Sequence, residues 1–184
     1  NYERGPTGKN VNGITVKQIL IPDLKLEDEK EKRHMLELAK HFQIPVYQCA
    51  KGTELEQDGM HIRVLNPVVQ KHYESPNAGS MTLLVSFQDF SALLTGDLEG
   101  SGEQQAAEAL EGNVDVLKVA HHGSRNSSSE DFLEKAGGTS AVISCGAGNS
   151  YGHPHSELLD RLKRAGYKIL RTDQDGMIRF KVKK

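Results

Sequence analysis

Residues 114–129 read VDVLKVAHHGSRNSSS. A run rich in β-branched and apolar residues, Val114 to Ala120, stops at two adjacent histidines, a glycine and a serine-rich tract. Its length and composition suit a buried strand, and Ser128 stands where a cap should open a short helix ended by Gly137 and Gly138. The order strand, polar cluster, capped helix, glycine stop recurs on both sides, and that recurrence makes this stretch decisive for the fold.

On the upstream side Phe90 to Thr95 (FSALLT) is a strand followed by Gly96 and Asp97. Ser101 with Gln104 then forms the signature of a capping box for a helix running to Glu111 and closed by Gly112. On the downstream side Ser140 to Cys145 is a strand, Gly152-His153-Pro154-His155 is its polar cluster, and Ser156 caps a helix over Glu157 to Ala165 that Gly166 stops. Tyr167 to Arg171 resumes the sheet.

Further out, Ile14 to Ile21 reads as a buried strand, and Glu27 to Gln43 as a surface helix with Met35, Leu38, Ala39 and Phe42 on one stripe. His61 to Asn66, Met81 to Phe87 and Phe90 to Thr95 are short strands, the last two close enough for a hairpin. Met177 to Lys183 alternates Ile178, Phe180 and Val182 against Arg179, Lys181 and Lys183, which predicts a closing strand with one wet face. Alternating strands and helices give an α/β domain, and the hairpin makes the sheet mixed rather than purely parallel. One domain spanning residues 1–184 is expected from the length.

Composition narrows the function classes. With 26% charged residues and a formal net charge of -2, no global positive field draws in a polyanion, so nucleic-acid contact needs a local patch. Lys118, Arg125, Arg161, Lys163 and Arg164 are the basic residues nearest the loops, and solvated helix charge explains most of them. No apolar run approaches the roughly 20 residues that span a bilayer. Cys49 and Cys145 are far apart in apolar surroundings and suit buried thiols better than a disulfide framework.

Three polar clusters follow strands: Thr95-Gly96-Asp97, His121-His122-Gly123-Ser124 and Gly152-His153-Pro154-His155. Taken singly, Asp97 is as well explained by a turn or cap, and each histidine pair by hydrogen-bonded structure. Taken jointly, a carboxylate and two histidine clusters on successive strand ends match the donors of a borderline divalent metal site. His34, His41, His61 and His72 have no such setting.

The strings LLTGDLE (93–99), DVLKVAHHGSRNSSS (115–129), AVISCGAGNSYGHPH (141–155) and RTDQDGMI (171–178) together resemble the C-terminal half of the metallo-β-lactamase-type domain of ComEC-family DNA-internalization competence proteins. Asn77 and Ser80 resemble that family's Asn-x-x-Ser turn. The resemblance implies a metallo-β-lactamase-like αββα sandwich with mixed sheets whose N-terminal portion is missing. It implies Asp97 as a carboxylate bridging two metals, His121 or His122 as a terminal ligand with His122 preferred, and His153 as a ligand-shell or substrate-phosphate residue. Asp97, His122 and His153 are then the catalytic residues, and Ser124, Asn149, His153 and His155 the substrate-binding ones. The cofactor implied for the intact domain is a divalent metal, zinc or manganese.

The family's His-x-His-x-Asp-His type loop is not found in these 184 residues; its expected place is just before Asn1. The fragment alone is accordingly expected to hold metal weakly, to be inactive, and, with a sheet edge or apolar face left exposed, either to self-associate or to pack differently. Implied partners are DNA, single strand or duplex, and the remainder of a membrane-embedded bacterial parent, with this domain soluble on the extracytoplasmic side. Two other readings stay open: a hydrolase of the same fold acting on a non-nucleic-acid substrate, and a non-catalytic binding domain.

Overall fold

The computed structural model describes residues 10–11, 14–24 and 30–182. The chain divides into two compact units, one up to Cys49 and one from Ala50 onward.

In the first unit, β1 (Asn10–Val11) pairs antiparallel with β2 (Ile14–Thr15), and β3 (Ile19–Pro22) runs parallel to β4 (Val46–Cys49) with helix α1 (Lys30–His41) between them. The single strand expected over Ile14 to Ile21 is thus two short ones, broken at Val16 to Gln18. Residues Glu27 to Glu29 of the expected helix lie outside the described residues. Ala39 on its predicted apolar stripe is buried, while Lys40 and His41 face solvent, as a one-sided helix requires.

The second unit is built on a seven-stranded mixed sheet in the order β11-β10-β9-β8-β7-β6-β5. The strands are β5 (Glu54–Gln57), β6 (Met60–Asn66), β7 (Thr82–Phe87), β8 (Phe90–Leu94), β9 (Val116–Lys118), β10 (Ser140–Ile143) and β11 (Lys168–Arg171). From β5 to β8 the pairing is antiparallel, and from β8 to β11 it is parallel. The β7–β8 hairpin closes over Gln88-Asp89, with Phe87 opposite Phe90. β5 was not foreseen. Its residues ELEQ are mostly polar, as an edge strand allows, but Asp58 and Gly59 both take positive φ and form the hairpin turn that an Asp-Gly pair favours.

Three crossovers carry α2 (Ser101–Glu108), α3 (Glu130–Ala136) and α4 (Ser156–Arg164) between the parallel strands. Each step moves one strand in the same direction, so the right-handed rule places all three helices on one face of the sheet. The core confirms it. Leu93, Leu117 and Ala141 are in register across β8, β9 and β10, and they share one buried cluster with Ala106, Phe132, Leu133, Leu158 and Leu162 from the helices. Full burial of each Leu or Phe contributes about 1.5–3 kcal/mol. The opposite row, Leu94, Lys118 and Val142, is only partly covered, with Leu94 at 39% exposure.

Four local expectations are corrected. Ser156 does not cap α4: it is the first residue of the helix, and His155 holds the N-cap position with no side-chain cap bond. Helix α2 has no side-chain cap of its own; Ser101 N and Oγ both donate to the distant Glu74 carboxylate, at 2.7 and 2.6 Å, so a capping partner from another loop replaces the Gln104 box. The cap of α3 is Ser129, whose Oγ accepts from Phe132 N, because Ser128 takes a left-handed turn at φ 56°. Residues Met177 to Val182 form no strand. Met177 is 82% exposed, and the Phe180 ring lies against Phe90, at 6.2 Å between centroids.

Candidate active site

Because β8, β9, β10 and β11 are parallel and adjacent, their C-terminal ends form one rim, and the loop after each strand brings polar side chains to it. Asp97 follows β8, the turn Ala120–Gly123 with His121 and His122 follows β9, His153 and His155 follow β10, and Asp173 follows β11. Backbone hydrogen bonds stitch the loops together. His121 N donates to Gly96 O (3.0 Å), and His155 N donates to Gly123 O (3.0 Å). Thr95 Oγ1 adds a bond to Lys118 O at 2.6 Å.

The two histidines of the β9 turn face different partners because both residues are left-handed, with φ, ψ of 49°, 43° and 54°, 19°. Such conformations cost on the order of 1–2 kcal/mol per residue and persist where surrounding structure enforces them. His122 Nδ1 lies 2.7 Å from Ser144 O. A carbonyl only accepts, so Nδ1 carries the proton and the neutral ring keeps its lone pair on Nε2. That Nε2 is 3.9 Å from Asp97 Oδ1, with both side chains about half exposed. His121 turns instead toward Glu99 Oε2 (3.7 Å) and Asn77 Nδ2 (3.5 Å from Nδ1), and its ring stands 5.7 Å from that of His153.

The β10 loop is held by Asn149, which accepts from His153 N (3.0 Å) and donates to His153 O (2.6 Å) and Gly146 O (2.9 Å). Arg125 N donates to His155 Nδ1 at 3.1 Å, so the neutral His155 carries its proton on Nε2. Burial, then the neighbouring His155, His121 and His122, pushes the His153 imidazole below its ordinary value, while Asp97 acts against the shift. Burial likewise lowers the Lys118 ammonium, again opposed by Asp97. Ser124 is buried, and its Oγ accepts from Asn126 N at 3.2 Å.

Residues that sequence reasoning passed over complete the framework. Asn66, wholly buried at the end of β6, donates to Ala78 O and Ser80 O and accepts from Tyr73, which fixes the loop bearing Asn77. Ser80 Oγ in turn accepts from Asp97 N at 3.3 Å. The serine tract is clamped from two sides. Buried Glu103 of α2 accepts from Ser128 N and Ser129 N, and Arg161 of α4 donates to the carbonyls of Arg125, Ser127 and Ser128 at 2.7–3.1 Å. The N–H groups of Ser128 and Ser129 are therefore occupied by a carboxylate. The Asn77 and Ser80 spacing was the one signal for this support; Glu103 and Arg161 gave none, because each acts across a crossover.

The chain matches no family model. It is 34% identical over 169 residues to ComE operon protein 3 of Bacillus subtilis (strain 168), covering 91% of this chain and 22% of that protein. The chain is a homologue of the competence proteins. It is also 37% identical over 133 residues to Recombination protein 2 of Haemophilus influenzae, covering 71% of this chain and 16% of that one. With Competence protein ComA of Neisseria gonorrhoeae it shares 37% over 125 residues, 67% of this chain and 18% of the relative. This competence-protein homologue thus spans about a fifth of the length of the curated relatives it matches.

Two solved structures also align with the competence-protein homologue. One, described as a metal-dependent hydrolase from Parabacteroides distasonis ATCC 8503, is 12% identical, covers 91% of this chain and 90% of that chain, and has a TM-score of 0.47. The other, described as a zinc-dependent hydrolase of the metallo-β-lactamase superfamily from Thermotoga maritima, is 12% identical over 67% of this chain and 62% of its own, with a TM-score of 0.39.

Among the described residues no group of three or more His, Cys, Asp or Glu side chains is placed to hold a metal ion. Asp97 and His122 are nevertheless a fitting partial set. They bring a carboxylate oxygen and an imidazole nitrogen, the donor types a borderline divalent ion takes, to within 3.9 Å of one another. No described helix is long and apolar enough to cross a membrane.

Proposed function

We propose that this chain carries part of a divalent-metal phosphodiesterase site in a DNA-uptake competence protein, with Asp97 and His122 as metal donors and His121 beside them. The observation that carries the reading is the His122 tautomer: the Ser144 carbonyl holds the proton on Nδ1, leaving the Nε2 lone pair toward the Asp97 carboxylate. This is the outer-shell arrangement that metal-binding histidines use. Completing the set takes donors from outside the described residues.

When bound, a zinc or manganese ion would supply Lewis acidity toward a phosphoryl oxygen and the attacking water. The chain's own residues do the rest. His155 Nε2–H can donate to a phosphoryl oxygen, and His153, held by Asn149, stands between it and His121. Ser124 contributes through the loop it folds. DNA as substrate, and an envelope-membrane parent with this domain on its extracytoplasmic side, belong to the same proposal.

The test is cleavage of a labelled oligonucleotide by the full-length protein with added Zn²⁺ or Mn²⁺. Asp97→Asn and His122→Asn are expected to lower the rate at least 10- to 100-fold and to weaken Mn²⁺ binding measured by calorimetry. Unchanged rate and binding in both variants overturn the proposal. The lack of a third donor among the described residues favours a second reading, a non-catalytic domain. A full-length protein that binds DNA but takes up no divalent ion would establish it.

A further inference from the structure

Tyr151 stands at the rim with 77% of its surface exposed. Its ring lies 5.8 Å from that of His153 with 24° between the planes, so one face is turned to the histidine while the high exposure leaves the rest to solvent. The backbone that carries the ring is fixed by its loop. Gly152 N returns to Asn149 O, Asn149 ties both backbone groups of His153, and Gly152 makes the turn at φ 70°. A pre-placed aromatic loses little freedom on binding, which is why such rings serve as contact platforms.

The neighbouring charges point the same way. Arg125 is paired with Glu157 at 3.1 Å, Arg164 with Glu130 at 2.5 Å and Lys163 with Asp160 at 3.4 Å, while Arg161 is spent on three backbone carbonyls. These basic side chains are thus already partnered, so a contact to the bases of an anionic chain adds hold that its phosphates do not gain from them. His121, His153 and Tyr151 form a continuous succession of rings from the carboxylate-bearing centre outward.

Resting on the phosphodiesterase reading above, we infer that Tyr151 is the stacking platform for an unpaired nucleobase beside the phosphate that the rim receives. Bases within a duplex have both faces covered by their neighbours, so this ring selects single-stranded nucleic acid or a frayed end over duplex. Loss of one base–aromatic stack lowers affinity roughly 5- to 150-fold.

The chain contains no tryptophan, so Tyr151→Trp introduces a single emitter at the platform. In EDTA, where no metal-dependent cleavage takes place, a short oligothymidylate is expected to quench that emission, and an abasic oligomer of equal length or a blunt duplex is not. By anisotropy of a labelled oligothymidylate, Tyr151→Phe keeps the affinity and Tyr151→Ala loses roughly 5- to 150-fold. Equal quenching by the abasic oligomer, no quenching at all, or Tyr151→Ala binding as well as the parent overturns the inference. The two readings fail differently: quenching without metal-dependent cleavage removes the phosphodiesterase, and cleavage without quenching removes the platform.

Discussion

Gly123→Ala tests the joint that brings the two histidine loops together. Gly123 has φ 91°, where an L side chain is strained, and a Cβ there would lie 2.6 Å from Pro154 Cβ and 3.1 Å from Leu158 Cδ2. The backbone strain costs about 1–2 kcal/mol, and forcing a methyl into a packed contact a further 1–3 kcal/mol. The expected loss is thus roughly 2–5 kcal/mol. Gly112→Ala is the matched control, since it has φ 83° with nothing within 4 Å and carries the backbone cost alone. Urea unfolding followed by far-UV circular dichroism reads both, with the slope of the transition unchanged if only stability moves. If Gly123→Ala costs no more than Gly112→Ala, the loops do not meet through this glycine and the account of the rim fails.

Glu103 sets a pH dependence. Burial raises its carboxyl, against the pull of the Ser129 and Ser128 N–H groups and of Arg161. The folded protein therefore binds a proton more readily than the unfolded chain, and stability falls as pH rises from the ordinary glutamate value through the raised one; Glu103→Gln should flatten that slope in melts between pH 4 and 7, and an unaltered slope counts against it. Arg161→Lys should lose about 1–2 kcal/mol, because an ammonium cannot reproduce the guanidinium fork on three carbonyls, and its effect should be non-additive with Glu103→Gln, since both hold one loop. Cys145, raised first by burial and then by its bond to Asp173, should react slowly with a disulfide reagent in a Cys49→Ser background, and Asp173→Asn should speed it; equal rates refute the contact.

The sequence made the parallel half of the fold legible because strands, helices and turn glycines alternate there with little ambiguity; Gly137 does end α3 in a left-handed turn, although none of the three expected serine caps is the cap observed. The polar clusters that the structure places along the rim, around Asp97, His121-His122 and His153, could be picked out because each falls in the loop that follows a strand. What could not be read was anything fixed by a distant partner. Glu74 capping α2, Glu103 closing the serine tract and the positive φ of Ser128 are set by contacts 25 or more residues away or by the tertiary demands of a loop. The tail failed for the complementary reason: period-two alternation shows that residues 177–182 could line a sheet, not that a neighbouring strand offers its backbone.

The consecutive left-handed residues at His121 and His122 bear on how this protein should be probed. Replacing either by alanine changes two things at once, the imidazole and the ease with which the main chain takes its bend, whereas asparagine tolerates that bend much as histidine does. Alanine scanning would overstate the chemical importance of the pair, and asparagine is the substitution that separates the donor atom from the curve of the chain that delivers it.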